Sequence, residues 1–406
     1  MGEIPLPTGP LHGLRVFDLT RVLAGPTCVQ MLGDLGAEVI KIEKPGSGDD
    51  TSGFAPPTLP GSSESAYFAG VNRNKLSVTL DIAQPEGQAL AQRLLGHCNI
   101  LAENFKAGSL ARYGLGWEQV RGAHPGLIYC SITGFGQTGP YAARPGYDSL
   151  VQAMGGVMSL TGEPDGMPQK VGVPVADLFA GLYACIGILA ALRHRERTGE
   201  GQYIDIGMLD THVAWLANQG MNYLATGENP PRLGNQHPNI VPYQVFATAD
   251  GHVVLSVGND PTFRRFCEAF DLRHLLDDPR FATNAARVQN RVLVTETLAP
   301  VLRAQPTAWW VERLERLSIG GGPINRLSEV FADPQVQARG MVVEMPHPTA
   351  DGGKVKVLAN PVRLSATPPD YRIPPPLLGQ HTEQVLGGLL GLTAAEIAGL
   401  RQRGIV

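Results

Sequence analysis

An aspartate at the head of a long apolar run is the residue of this chain whose setting most suggests chemistry. In VPVADLFAG, Val173 to Gly181, Asp177 precedes a stretch that stays apolar from Leu178 to Leu192, fifteen residues, before the charged run Arg193 to Arg197. The ordinary role for such an aspartate is an N-cap, its oxygen accepting orphan backbone N–H groups. The same geometry also serves a nucleophile, because a helix N-terminus favours an ionised carboxylate and apolar surroundings strip it of water. Spacing alone leaves both readings open. Other chemistries lack their parts. The chain contains no GxxxxGK[ST], HExxH or GxSxG, the sequences that cradle phosphate, ligate zinc or expose a serine nucleophile. Glu43 stands about where a ribose-binding acid would, but the turn Thr20 to Thr27, TRVLAGPT, has one glycine where a dinucleotide-binding turn uses three.

Composition narrows the setting. The five cysteines, Cys28, Cys98, Cys130, Cys185 and Cys267, are odd in number and form no CxxC pair, which predicts reduced thiols, a cytoplasmic location and no metal site. Lys and Arg number 33 against 37 Asp and Glu, a net charge of -4 with no run of five like charges. That balance argues against a nucleic-acid surface or a polybasic membrane patch, so a small molecule or a protein is the expected partner. Gly and Pro supply about a fifth of the 406 residues, below the level that signals disorder. The opening residues Met1 to Thr8 lack the basic start and apolar core of a signal peptide. The fifteen-residue apolar run is shorter than the roughly 18 to 20 residues a bilayer requires, which predicts a helix buried in protein.

These residues need elements to position them. Leu14 to Leu19 predicts a strand, Cys28 to Leu35 a helix closed by Gly36, and Glu38 to Glu43 a second strand. The pattern continues with a strand over 77–82, a helix over 85–97 and strands over 99–105, 127–134 and 202–208, then a helix near 211–224. This alternation predicts an α/β fold with a mostly parallel sheet covered on both faces. Pro45 to Ala66, rich in Gly, Ser and Pro, predicts a surface loop unless a ligand orders it. Turn formers in Gly227 to Asn239 predict a domain boundary, and Gly320 to Pro323 a hinge. The resulting division is a first domain over 1–224, a small domain over 225–321 and a C-terminal segment over 322–406 with a helical tail.

Six blocks in matching order carry a resemblance: Leu11–Leu19, Leu23–Pro26, Gly33–Glu43, Asn72–Lys75, Ala102–Phe105 and Gly146–Asp148. Together they resemble the class III CoA-transferases, the family of formyl-CoA and carnitine CoA-transferases. Arg232–Phe246, Gly322–Asn325, Phe331–Val336 and Pro374–His381 further resemble the branch that acts on succinate and hydroxymethylglutarate or glutarate. The likeness covers nearly the whole chain.

That resemblance implies a Rossmann-like large domain whose C-terminal part returns to it, a smaller middle domain and an interlocked homodimer. It implies that Asp177 is the nucleophile, that coenzyme A is a substrate rather than a tightly bound cofactor, and that no metal takes part. Lys44, Lys75, Asn104, Phe105 and Arg112 fall at the family's CoA-contact positions, and Leu23, Tyr147 and Asp148 at positions facing the acyl group. Arg232 and His237, on the Gly/Pro/Asn-rich segment, are the candidates to pair the second carboxylate of a dicarboxylate, since a desolvated site must pair that charge. Two other readings use the same residues. An α-methylacyl-CoA racemase of this fold needs a His in a Gly-His-Asp motif where this chain has Gly146-Tyr147-Asp148, and a phenol of pKa near 10 is a poor base. A non-catalytic acyl-CoA-binding protein would have no use for Asp177.

Overall fold

The computed structural model describes residues 8–406; the opening residues Met1 to Pro7, which carry most of the expectation about a signal peptide, lie outside them. Six strands, β1 (Arg15–Leu19), β2 (Glu38–Glu43), β3 (Lys75–Thr79), β4 (Ile100–Glu103), β5 (Ile128–Thr133) and β6 (Tyr203–Gly207), form one sheet in the order β3-β2-β1-β4-β5-β6. Every pairing is parallel, in keeping with the α/β expectation.

Alternation along each strand builds two cores. Phe17, Ile40, Leu101 and Tyr129 enter one, with the helix Pro85–Leu95 and the C-terminal helices Thr382–Leu390 and Ala394–Gln402. Their neighbours Val16, Val39, Ile100 and Ile128 enter the other, under the helices Ala24–Asp34 and Val175–Thr198. A period of two against two helical layers is what covers a parallel sheet on both faces.

The backbone clusters into two compact units: one holds the chain through Gly155, Gly172–Trp215 and Gln337–Val406, the other Gly156–Val171 and Leu216–Val336. We retain the division into 1–224, 225–321 and 322–406 as a proposal for the folding domains. The second unit has its own apolar core, including Phe246, Leu255, Phe266, Leu298 and Trp310, and a three-stranded antiparallel sheet, β7 (Tyr243–Ala247), β8 (His252–Ser256) and β9 (Gly320–Pro323). The first also carries the hairpin β10 (Val342–Pro346) and β11 (Lys354–Leu358).

Three local expectations are corrected. Gly320–Pro323 is no hinge but a strand: a Cβ on Gly321 would stand 2.4 Å from Leu314 Cδ1, so glycine is what lets the helix Thr307–Arg316 press on it. The apolar run does not stop at the basic residues; its helix spans 24 residues, because Arg and Glu are good helix formers and Arg195 and Arg197 complement its C-terminal dipole. That helix is long and apolar enough to cross a membrane by length and composition, yet half of its most apolar window is buried in protein. The helix near 211–224 is two, Met208–Ala214 and Ala217–Thr226, broken where Ala217 takes φ 48°. The 45–66 segment is the mostly exposed surface loop expected, shaped by a short 3₁₀ turn over Asp50–Gly53 and a bridge between Thr58 and Ser65.

Candidate active site

Strand order reverses between β1 and β4, and the loops leaving their carboxyl ends part there, where open α/β sheets bind ligands. Asn104 ties the two loops together: its Oδ1 accepts from Arg21 N at 2.8 Å and its Nδ2 donates to Arg21 O at 2.6 Å. Two clefts open beside this tie, and Phe105 lines both.

The cleft of about 190 Å³ holds Asp177, with Tyr147, Thr133, Met208, Arg21, Lys106 and Arg144 in its wall. Small residues bring the Asp177 helix there. Ala176, Ala180, Ala184 and Ile188 recur every fourth position on its buried face, and a Cβ on Gly181 would lie 2.5 Å from Ala24 O. The N-cap reading of Asp177 is corrected. Pro174 occupies the cap, Asp177 is the third helical residue, and the first-turn N–H of Ala176 is satisfied by Asp148 Oδ1 at 2.9 Å. Asp148 also accepts from Gln152 Nε2 at 2.7 Å. Asp177 is thereby released from capping duty, and its carboxylate accepts no hydrogen bond among the described residues. Burial, then the nearby Asp148 carboxylate, push its pKa up to about 7.

Tyr147 is 69% exposed at the cap of the helix Asp148–Met154, beside a crossing where Gly134 and Gly146 meet so closely that a Cβ on Gly134 would lie 2.5 Å from Gly146 Cα. Leu23 is buried and lies outside this cleft's lining, which takes its neighbours Val22 and Ala24 instead. Val22 sits at φ 68°, a strained region for a β-branched residue, and its N–H donates to Asp49 Oδ1 at 3.2 Å.

The second cleft, about 340 Å³, is lined by Lys44, Leu80, Ile82, Phe105 and Tyr113. Lys44 is exposed at its edge, Arg21 lies over the Phe105 ring and pairs with Asp50 at 3.1 Å, and Arg112 lies over the Tyr113 ring. Its polar wall belongs to a buried charge network. Lys41 Nζ donates to Asp49 Oδ2 and to Thr20 O, both at 2.9 Å. Burial opposes the Lys41 charge, but Asp18 and Asp49 outweigh it and hold the ammonium above its usual range.

Lys75 belongs to that network and lines neither cleft. Fully buried, it donates to Pro26 O at 3.1 Å and Asn72 Oδ1 at 2.9 Å, and burial lowers its pKa to about 7. Arg232 and His237 lie in the second unit. Arg232 donates from Nε and Nη2 to the carbonyls of Glu163, Pro164 and Gly166, and His237 stacks on Tyr243 with ring centroids 5.2 Å apart. Burial, and then Arg291, lower the His237 pKa. Among the described residues no cluster of His, Cys, Asp or Glu is placed to hold a metal ion.

Sequence reasoning passed over Arg21, Asp49 and Arg144. The segment holding Arg21 draws notice for its single glycine rather than its cation, and a lone surface Arg carries no periodic signal.

Residues 11–382 match the model of CoA-transferase family III. The chain is 50% identical to a succinate–glutarate CoA-transferase of Agrobacterium fabrum, over 96% of this chain and 98% of that protein. It is 43% identical to the human succinyl-CoA:glutarate CoA-transferase, over 98% of this chain and 90% of that one. Among solved structures, a CAIB/BAIF family protein from Brucella suis superposes with a TM-score of 0.83 at 45% identity, covering 94% of this chain and all of that one.

Proposed function

The chain belongs to CoA-transferase family III, and on that premise we propose that it moves CoA from succinyl-CoA or glutaryl-CoA to a short dicarboxylate such as glutarate, with Asp177 as nucleophile. The observation that carries this reading is the Asp177 carboxylate: it stands in the first turn of an apolar helix, faces a cleft and has no hydrogen-bonding partner among the described residues. A carboxylate whose basicity is raised by desolvation is a stronger nucleophile, and the helix N-terminus supports its charge when it ionises.

In the proposed sequence an Asp177 oxygen attacks the thioester carbonyl of the donor, and CoA leaves as thiolate, giving a mixed aspartyl anhydride. The thiolate then attacks the Asp177 carbonyl carbon, releasing the donor acid and leaving an aspartyl-CoA thioester. The acceptor carboxylate attacks that thioester, expelling the thiolate and forming a second anhydride. Attack of the thiolate on the acceptor carbonyl releases the new acyl-CoA and regenerates Asp177. Acyl activation passes from one acid to another, so the cycle consumes no phosphoryl donor and leaves no net proton to move.

The larger cleft is the proposed seat of CoA, with Lys44 at its edge, Phe105 at the junction with the Asp177 cleft and Arg112 stacked behind Tyr113. Asn104 contributes by fixing the loop that carries Phe105. A homodimer remains part of the proposal, supported by Leu182, Tyr183, Ile186 and Leu189, large apolar side chains left exposed on the Asp177 helix. A cytoplasmic location, without nucleic-acid or membrane partners, is likewise retained as a proposal from composition.

Trapping tests the mechanism. Enzyme mixed with succinyl-CoA and then treated with hydroxylamine or borohydride is expected to carry hydroxamate or reduced alcohol on Asp177 in a peptide map. Label confined to a cysteine would overturn the carboxylate mechanism.

A further inference from the structure

Resting on the reading of this cleft as the acyl-transfer site, we propose that Arg144 is the residue that selects dicarboxylates, by pairing the carboxylate of donor or acceptor that does not react. The cleft is rich in cations. Arg21, Lys106 and Arg144 line it together with Asp50 and Asp177. Arg21 is already paired with Asp50 at 3.1 Å and is shared with the neighbouring cleft. Lys106 offers a compact ammonium without a planar fork. Arg144 has no carboxylate partner among the described residues.

Its surroundings hold it for this task. The guanidinium carbon lies 3.9 Å from the centre of the Tyr141 ring, and Tyr141 packs edge-on against buried Phe135 with centroids 5.7 Å apart. Stacking occupies a face of a guanidinium and leaves its edge, where the N–H donors point, free for bidentate pairing with a carboxylate. By contrast Arg232, the cation singled out by sequence for this charge, already donates to three backbone carbonyls. The substrate class follows: an acid with one carboxylate to react at Asp177 and a second to meet Arg144, as in succinate and glutarate.

The same edge would also fit a phosphate of CoA, so the test separates the two oxyanions. Wild type, Arg144→Gln and Arg144→Lys are assayed with glutaryl-CoA and butyryl-CoA as donors, and with glutarate, succinate and butyrate as acceptors. Melting curves verify that each variant is folded. The expected result for Arg144→Gln is a fall of about 30-fold or more in the ratio of kcat/KM for glutarate to that for butyrate, the scale of a lost charge-assisted pair. The glutaryl-CoA to butyryl-CoA ratio should fall alongside, and Arg144→Lys should retain part of both. Equal losses with glutaryl-CoA and butyryl-CoA would assign Arg144 to a CoA phosphate and overturn the proposal. Unchanged ratios in a folded, active Arg144→Gln enzyme would also overturn it while leaving the transferase reading intact. A wild-type enzyme that moves CoA to none of these acids would instead sink the transferase reading itself.

Discussion

Two aspartates at opposite kinds of helix end show how this chain divides anchoring from reactivity. Asp34 is the last residue of the helix Ala24–Asp34, where the dipole disfavours a negative charge, and it is fully buried. The fold surrounds it with donors: Arg73 binds it through Nε at 2.9 Å and Nη2 at 2.6 Å, with Asn74 Nδ2 at 2.9 Å and Asn360 Nδ2 at 3.2 Å. Arg73 also reaches Leu358 O at 2.7 Å, so one carboxylate ties the first helix to the C-terminal return. Asp177 is the reverse, placed at the helix end that favours its charge yet given no partner among the described residues. A carboxylate saturated with hydrogen bonds is stable and unreactive, whereas one that is partly desolvated and unpaired keeps its lone pairs for a substrate.

The contrast is broken most severely by Asp177→Asn. Transfer between glutaryl-CoA and succinate, read by mass spectrometry of the CoA esters, is expected to fall by roughly 10⁴-fold or more, the scale of losing a covalent nucleophile. The fold should gain. The folded pKa of Asp177, about 7, lies above the unfolded value of about 3.9, so its carboxyl disfavours folding increasingly as pH rises from 4 to 7 and fully above that. Asn carries no such penalty, so the variant's melting temperature should exceed wild type by about 2–4 °C at pH 8 and by little at pH 4. A variant less stable than wild type at pH 8 would contradict the unpaired state of Asp177.

Arg73→Met attacks the other member. It leaves Asp34 buried without its ion pair, and urea unfolding should show a loss of about 3–5 kcal/mol, with recovery when Asp34→Leu is added. A loss below about 1 kcal/mol, as at a surface pair, would mean that the network does not anchor the return.

Titration sharpens the comparison. The kcat/KM of wild type should rise with pH through an apparent pKa near 7, because only ionised Asp177 attacks. Asp148→Asn removes the lesser of its two causes while keeping an oxygen for the Ala176 N–H, so the midpoint should move down and most of the elevation, due to burial, should remain. A midpoint that stays still or moves up would assign the elevation to another group. The smallest effect is expected at the exposed rim: Lys44→Ala should raise KM for CoA donors roughly 2–5-fold, less at high salt, as befits a solvated charge pair. An equal rise in KM for the free acid would make Lys44 structural.

Much of this molecule is legible in one dimension because its signals are local. The strands of the first sheet announce themselves as short apolar runs, each legible to within two or three residues at its ends, since burial on both faces demands apolar side chains at successive positions. Gly320–Pro323 reads as a hinge because backbone pairing leaves no side-chain signature when its residues are glycine. Lys75 shows the same limit at the site. Its motif points to a ligand, and only the packing of β3 beneath the Ala24–Asp34 helix sends its ammonium into Pro26 O and Asn72 instead.

What the sequence determined by itself is the inventory: an aspartate ahead of a long apolar helix, a β-α-β rhythm, cations near the strand ends and a family likeness that the comparisons bear out. Tertiary structure alone decided the state of those groups. Asp148, 29 residues upstream, supplies the oxygen that satisfies the Asp177 helix, and Tyr141 holds Arg144 over its ring in the same cleft. Whether a carboxylate is a cap, an anchor or a nucleophile depends on which donors reach it and how much water remains, and both are set by residues distant in sequence.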